Sequence, residues 1–382
     1  MVLVNLTEHQ QQVQSLARDV SQRELAPKAA EIDRSSQFPR EGLKKLAEVG
    51  LMGMGIPESF GGSQSDMLSY VLAVEEIARA CASTAEILVC HVDASRAIVA
   101  GGTDEAKKRY LTGLGSGSML AAFALTEPGS GTNPYNLEAS ASPEDGYYVV
   151  NGSKVFITSG EEADVYVTAV RTNPQQPGPT GQSYLVIDKG TAGFTFGTRY
   201  DRMGFRGTAS RELIFDNCRV PRGNLLGAEN GFMGMQMAIG GQMQLSVAAT
   251  SLGIAAAALE AAMRYARERL QVGKQPLMSY QAVKFMLVDM STAVDAARAM
   301  VHRAAAVVDS RRPGPPIECL EAKLFVTETA VEVADRALQI HGGTGYCRDL
   351  PVERYYRDAR GLTLHGLATE MQKENIAMFL LA

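Results

Sequence analysis

Residues Leu125-Thr-Glu-Pro-Gly-Ser-Gly-Thr132 join an apolar run to a glycine-rich turn with hydroxyls on both sides. Gly129 and Gly131 let another group approach the backbone closely, while Thr126, Ser130 and Thr132 set donors beside free N–H groups. Such a loop suits a flat polar heterocycle or a phosphate, and taken alone it also reads as a plain tight β-turn. Further on, Asn151-Gly-Ser-Lys-Val-Phe-Ile-Thr158 reads as a hairpin turn entering a strand that alternates large apolar and hydroxyl side chains. Alone it is an ordinary strand. Glu86 lies within Thr84-Ala-Glu-Ile-Leu-Val-Cys90, an apolar setting where a carboxylate is costly unless it is paired, solvated or functional. The five histidines (His9, His91, His302, His341, His365) are scattered without an HExxH pattern, and the five cysteines never form a CxxC. Neither a metal site nor a disulfide framework is suggested, and a reducing compartment fits.

These residues must be held by a sizeable scaffold. The chain has 382 residues, 46% hydrophobic and 21% charged, enough for two or three domains with a buried core. Its net charge of -5 lacks the basic excess that binding to a nucleic-acid backbone needs. The uncharged stretch Gly231 to Leu259 is broken by polar residues and glycines, so no segment reads as membrane-spanning. The N-terminus has no basic region before an apolar core, which leads us to expect a cytoplasmic protein.

Apolar residues at helical spacing (Leu6, Val13, Leu16, Val20, Leu25) predict a helix over 6–33, with Thr7 and Gln10 as a capping box. A second helix starts near Pro39 and stops before Gly50, Pro57 to Gly62 is a turn, and Leu68 to Cys90 is helical again. From Ala121 to Val220 the texture changes to short β-type runs at 147–150, 155–158, 165–170, 184–187 and 212–215. Long helical pieces return at 232–270, 279–310 and 317–341. No internal repeat is present. The expected order is α, β, α: a helical domain over 1–118, a β domain over 119–228 and a helical bundle over 229–382, an α+β protein.

The whole chain resembles the acyl-CoA dehydrogenase flavoproteins. Five segments carry the likeness in order: Leu125–Thr132, Lys154–Ser159, Arg264–Gln281, Gln339–Tyr346 and Arg357–Gln372, with LTEPGSG and QIHGGTGY the most specific. The resemblance implies an N-terminal helical domain, a middle β domain, a C-terminal four-helix bundle, a homotetramer and FAD as cofactor. It implies that Phe123, Leu125, Thr126, Gly131 and Thr132 meet the flavin on one side, and that Phe156, Ile157 and Thr158 cover its other edge. It further implies pyrophosphate and adenine contacts from a neighbouring subunit through Arg269, Gln281, Gln339, Ile340, His341, Gly342 and Gly343, of which His341 reads as a spacer. Thr369 and Glu370 join the cofactor set, and Thr132, Gln244 and Leu367 fall on the substrate side.

Two places depart from the family. Counting from Asp358 puts Gly366 where most members keep the glutamate that removes the substrate α-proton. The alternative base position, on the first long C-terminal helix, falls near Met243, and the D-x-x-R element that reads the CoA end is here Gly241-x-x-Gln244. Losing a positioned base costs about 10²–10⁴ in rate. The candidates for a relocated base are Glu86, His91 and His365. The alternatives are a base-free conversion such as β-elimination or desulfination, a flavin monooxygenase, and a non-catalytic subunit. The lost charges weaken the case for free CoA, since an acyl group on a carrier protein's phosphopantetheine needs no nucleotide contacts, and the carrier stays open between acyl-CoA and acyl carrier protein; the family's usual oxidant is an electron-transferring flavoprotein.

Overall fold

The computed structural model describes residues 6–131, 133–271, 273–311 and 317–381. Thr132, assigned above to cofactor and substrate, lies outside the described residues.

Among the described residues six α-helices come first: α1 (Glu8–Val20), α2 (Ala29–Ser35), α3 (Arg40–Glu48), α4 (Met67–Ala80), α5 (Ala82–Gly101) and α6 (Asp104–Gly115). The Thr7 capping box forms in full: Gln10 N–H donates to Thr7 Oγ1 at 3.2 Å and Thr7 N–H to Gln10 Oε1 at 3.0 Å. The single helix expected over 6–33 is interrupted, because the chain passes through a π turn at Ser21–Leu25 and a 3₁₀ turn at Ala26–Lys28 that admits Pro27. The helical run from Leu68 onward is likewise two helices, separated at Cys81, whose backbone is extended (φ -151).

The middle of the chain holds β1 (Ala121–Ala124), β2 (Ser140–Glu144), β3 (Tyr147–Ile157), β4 (Val165–Arg171), β5 (Gln182–Asp188), β6 (Phe194–Arg199), β7 (Arg211–Pro221) and β8 (Leu225–Leu226). They form one sheet in the order β6-β7-β3-β2-β4-β5-β8, with β1 paired parallel to β4. The two runs expected at 147–150 and 155–158 are one strand. Asn151-Gly152 is an irregularity within β3 and not a hairpin turn: the β3–β7 register shifts between Val150 and Gly152, and a Cβ on Gly152 would lie 2.7 Å from Ala139 Cα. A second shift follows between Lys154 and Ile157, where β3 gains a residue opposite β7 and Phe156 takes a left-handed backbone (φ 60).

The last part is helical: α7 (Phe232–Glu268), α8 (Gln281–Asp309), α9 (Ile317–His341), α10 (Val352–Leu362) and α11 (Thr369–Leu380). By length and composition α7 could cross a membrane, yet 89% of its most apolar window is buried inside the protein. Its small residues explain how: a Cβ on Gly253 would run into the Glu75 carbonyl and Ala78 of α4. The main core runs through α4, α5 and α7 to α9, and two further cores line the faces of the sheet.

Candidate active site

The two glycine- and hydroxyl-bearing segments are knitted together. Val155 N–H donates to Thr126 O at 2.9 Å, and Lys154 Nζ donates to Leu125 O at 3.1 Å and to Glu127 Oε1 at 2.6 Å. Glu127 also accepts from Glu138 N–H at 2.6 Å and Ala139 N–H at 3.1 Å. Burial pushes the Lys154 ammonium down to about 8, and Glu127 opposes that shift. Phe123 and Thr126 are half-buried on this rim, and Ile157 points into the sheet core. The bulge throws Phe156 outward: it is 58% exposed, its ring 4.5 Å from that of Tyr200. Beyond Tyr200 opens a cavity of about 300 Å³ that includes Arg202, Phe205 and Thr208.

Thr158, one residue past β3, turns back into the protein beside Glu86 and Cys90 of α5. Glu86 is 1% exposed, and its Oε1 meets His365 Nδ1 at 2.9 Å. Burial works to raise the Glu86 carboxyl, but His365, together with Arg202 and Thr158, outweighs it and holds the group below the usual carboxylate range. Cys90 Sγ lies 3.9 Å from Glu86 Oε1, and burial pushes this thiol well up, so it stays protonated.

His365 sits in the turn between α10 and α11. Its N–H donates to Gly361 O at 3.1 Å, its own carbonyl accepts from Leu367 N–H at 2.9 Å, and buried Lys323 of α9 donates to Leu367 O. Gly366 has φ 75, and a Cβ there would stand 3.6 Å from Val247 and 3.8 Å from Gln244 Nε2, both on α7. Thr369 and Glu370 begin α11 just beyond. Glu86, Thr158, His365, Gly366 and Gln244 therefore converge from α5, β3, the α10–α11 turn and α7.

His91 does not join them. Its Nδ1 accepts from Ala121 N–H at 3.1 Å and its Nε2 meets Leu114 O at 3.2 Å, so both ring nitrogens are engaged fastening α5 to α6 and β1. Burial lowers it to about 4, and it is no candidate base. His341 is also structural, stacked 4.2 Å from Tyr265 with Nδ1 on Ala337 O at 2.7 Å, and Ile340 points into the core. Arg269, Gln281, Gln339, Gly342 and Gly343 are exposed around the far end of α7. Residues 244 and 269 are separated by roughly 37 Å along that helix. Within one chain the two sets of residues expected to hold the cofactor therefore lie toward opposite ends of α7.

Sequence reasoning missed the Glu127–Lys154 brace, Arg202, and the polar face of α5. That face carried a signal: Glu86, Cys90, Asp93 and Arg96 recur at helical spacing inside an otherwise apolar helix.

Comparison with known proteins matches three family descriptions along the chain: acyl-CoA dehydrogenase, N-terminal domain over residues 7–118, middle domain over 122–218 and C-terminal domain over 230–381. An acyl-CoA dehydrogenase of Bacillus subtilis (strain 168) is 40% identical over 379 residues, 99% of each chain. The structure of butyryl-CoA dehydrogenase from Megasphaera elsdenii superposes with a TM-score of 0.95 at 36% identity, covering 99% of each chain. That of the prolyl acyl carrier protein oxidase AnaB superposes with a TM-score of 0.93 at 28% identity, covering 98% of this chain and 99% of that one. With its helical, β and helical parts in that order, the chain belongs to the acyl-CoA dehydrogenase family of FAD-dependent flavoenzymes.

Proposed function

We propose that this enzyme oxidises an acyl thioester with His365 as proton acceptor, in place of a carboxylate at position 366. The observation that carries the reading is the 2.9 Å contact between His365 Nδ1 and Glu86 Oε1 immediately beside Gly366. A buried carboxylate behind Nδ1 fixes the tautomer, orients the ring and stabilises the imidazolium that forms when Nε2 takes a proton. Among the described residues Nε2 meets no hydrogen-bond partner, and the side chain is 32% exposed, open to substrate.

FAD, when bound, supplies the acceptor for the substrate hydride. Phe123, Leu125, Thr126 and Gly131 would hold one edge of its ring system, and Phe156, Ile157 and Thr158 the other. The residues fit such a group: Phe156 offers an exposed aromatic face, and apart from its chain neighbours no described residue comes within 4 Å of where a Cβ on Gly131 (φ 54) would stand. Arg269, Gln281, Gln339, Gly342 and Gly343 would serve the pyrophosphate of a neighbouring copy in a homotetramer. Arg269 brings a permanent forked charge, and among the described residues nothing stands within 4 Å of where a Cβ on either glycine would lie, which leaves room for a phosphate. Ile340 and His341 contribute there only through their backbone. Thr369 and Glu370 complete the near side, and Gln244 and Leu367 line the substrate.

The carrier in this reading is an acyl carrier protein, because Gly241 and Gln244 supply none of the charge expected for a CoA contact. The shared fold with the acyl carrier protein oxidase AnaB supports it. An electron-transferring flavoprotein would take the electrons, in the cytoplasm. The test is anaerobic mixing of the holoenzyme with acyl thioesters on CoA and on a phosphopantetheinylated carrier. Wild type should bleach with a carrier-bound acyl group, and His365→Ala should bleach about 10²–10⁴ more slowly with its flavin retained. Equal rates in the two proteins would overturn the assignment.

A further inference from the structure

The face of α5 turned toward α7 is polar along its length. After Glu86 and Cys90 comes Asp93, which accepts from Ser246 Oγ at 2.9 Å, and Ser246 in turn lies 2.9 Å from Tyr70 Oη. Arg96 closes the row, its guanidinium 4.1 Å from the Tyr70 ring centre and 4.0 Å from Asp93. At its far end, then, the carboxylate of the seam is answered within the protein, while Arg96 Nη1, also buried, meets no hydrogen-bond partner among the described residues.

At its near end it is not. Glu86 Oε2 and Gln244 Oε1 are both buried and, among the described residues, both without a hydrogen-bond partner, on side chains only 1% and 8% exposed. They flank the same pair of residues: Glu86 bonds His365, and the Gln244 amide faces the space above Gly366. Buried acceptors left unpaired are costly, and here both stand around one turn, that of His365 and Gly366.

We propose that the substrate supplies the missing donor: its acyl chain carries a hydroxyl on one of its first carbons. The hydroxyl donates to Glu86 Oε2 and lies against the Gln244 amide, which presents oxygen or nitrogen by a flip of its end group. An unsubstituted alkyl chain would leave both acceptors dry and unpaired, and a site built to bond a hydroxyl rejects the analogue that lacks it. This inference rests on the acyl-thioester reading above and names the class of acyl group.

The test is anaerobic calorimetry on the holoprotein with the pantetheine thioesters of butyrate, 2-hydroxybutyrate and 3-hydroxybutyrate, with flavin absorbance followed in parallel. One hydroxy thioester should bind at least about tenfold tighter than the butyryl thioester, and Gln244→Leu should narrow that ratio. Butyryl binding as tight as the better of the two hydroxy compounds overturns the inference, as does no binding by any of the three. Tight hydroxyacyl binding without bleaching leaves the inference standing and removes the oxidation reading. Bleaching by butyryl without a hydroxyl preference does the reverse.

Discussion

Lys154 Nζ lies 2.6 Å from Glu127 Oε1, with the two side chains 0% and 2% exposed, and this ion pair joins the loop after β1 to the outer half of β3. Replacing one partner strands the other charge in the interior. Lys154→Met should lower stability by about 3–5 kcal/mol. The double variant Lys154→Met/Glu127→Leu should recover part of that loss, though Glu127 also caps two backbone N–H groups that leucine cannot serve. Urea denaturation, with flavin retention on a desalting column as a second reading, checks both.

His91 makes folding sensitive to acid. Its ordinary value is 6.5 and burial lowers it to about 4, so below 6.5 the unfolded chain takes up a proton that the folded one refuses. Its contribution is complete above pH 6.5 and is lost as pH falls toward 4, at about 1.4 kcal/mol per pH unit for one proton. His302, lowered to about 4 by burial and Arg298, acts in the same window and direction. His91→Gln should be less stable at neutral pH and lose less between pH 6.5 and 4, seen in denaturation midpoints across that range.

Gly366→Glu tests whether the site is an ordinary one missing a side chain. The glutamate has room for its Cβ, but the backbone there is left-handed (φ 75), which costs roughly 1–2 kcal/mol for a residue other than glycine. We expect a folded protein with a slightly lower melting temperature and no gain in bleaching by butyryl-CoA. A gain would mean the pocket still accepts a conventional saturated chain.

If a neighbouring copy completes each cofactor site, defects at the two ends of α7 should complement. Arg269→Ala and His365→Ala proteins, each impaired alone, should regain part of their activity when co-expressed. Sites that take the ring-binding half from the first and the arginine from the second are intact. Activity no higher than that of the separate variants would place both halves in one chain.

Much of the fold follows from local patterns. The Thr7–Gln10 cap, the small-residue helix α7 and the helices on either side of Pro313 to Pro316 are written in spacing and capping residues. The break at Cys81 is not, since neither glycine nor proline stands there, and the one at Ser21–Leu25 is marked only by Pro27 just beyond it. Asn151-Gly152 has the composition of a turn, and only pairing with β7 makes it part of a strand. Glu86 and His365 each stood out by chemical type. Their contact did not, because it depends on how α5 meets a turn from the other end of the chain. The unpaired Gln244 amide was hidden for a similar reason: nothing in a sequence marks a buried acceptor as unanswered.

The extra residue at Phe156 has a consequence for how this region can change. Between Gly152 and Lys154 the pairing of β3 with β7 runs one position out of step with the rest of the strand, and Phe156 restores it at Ile157. Deleting Phe156 would remove more than an aromatic ring. It would shift the frame of everything after it, turning Ile157 out of the core and Thr158 away from Glu86. Substitutions can be accommodated here one at a time, but a change of length has to be matched by a second one on β7, where Asn217 (φ 51) already marks the compensating insertion.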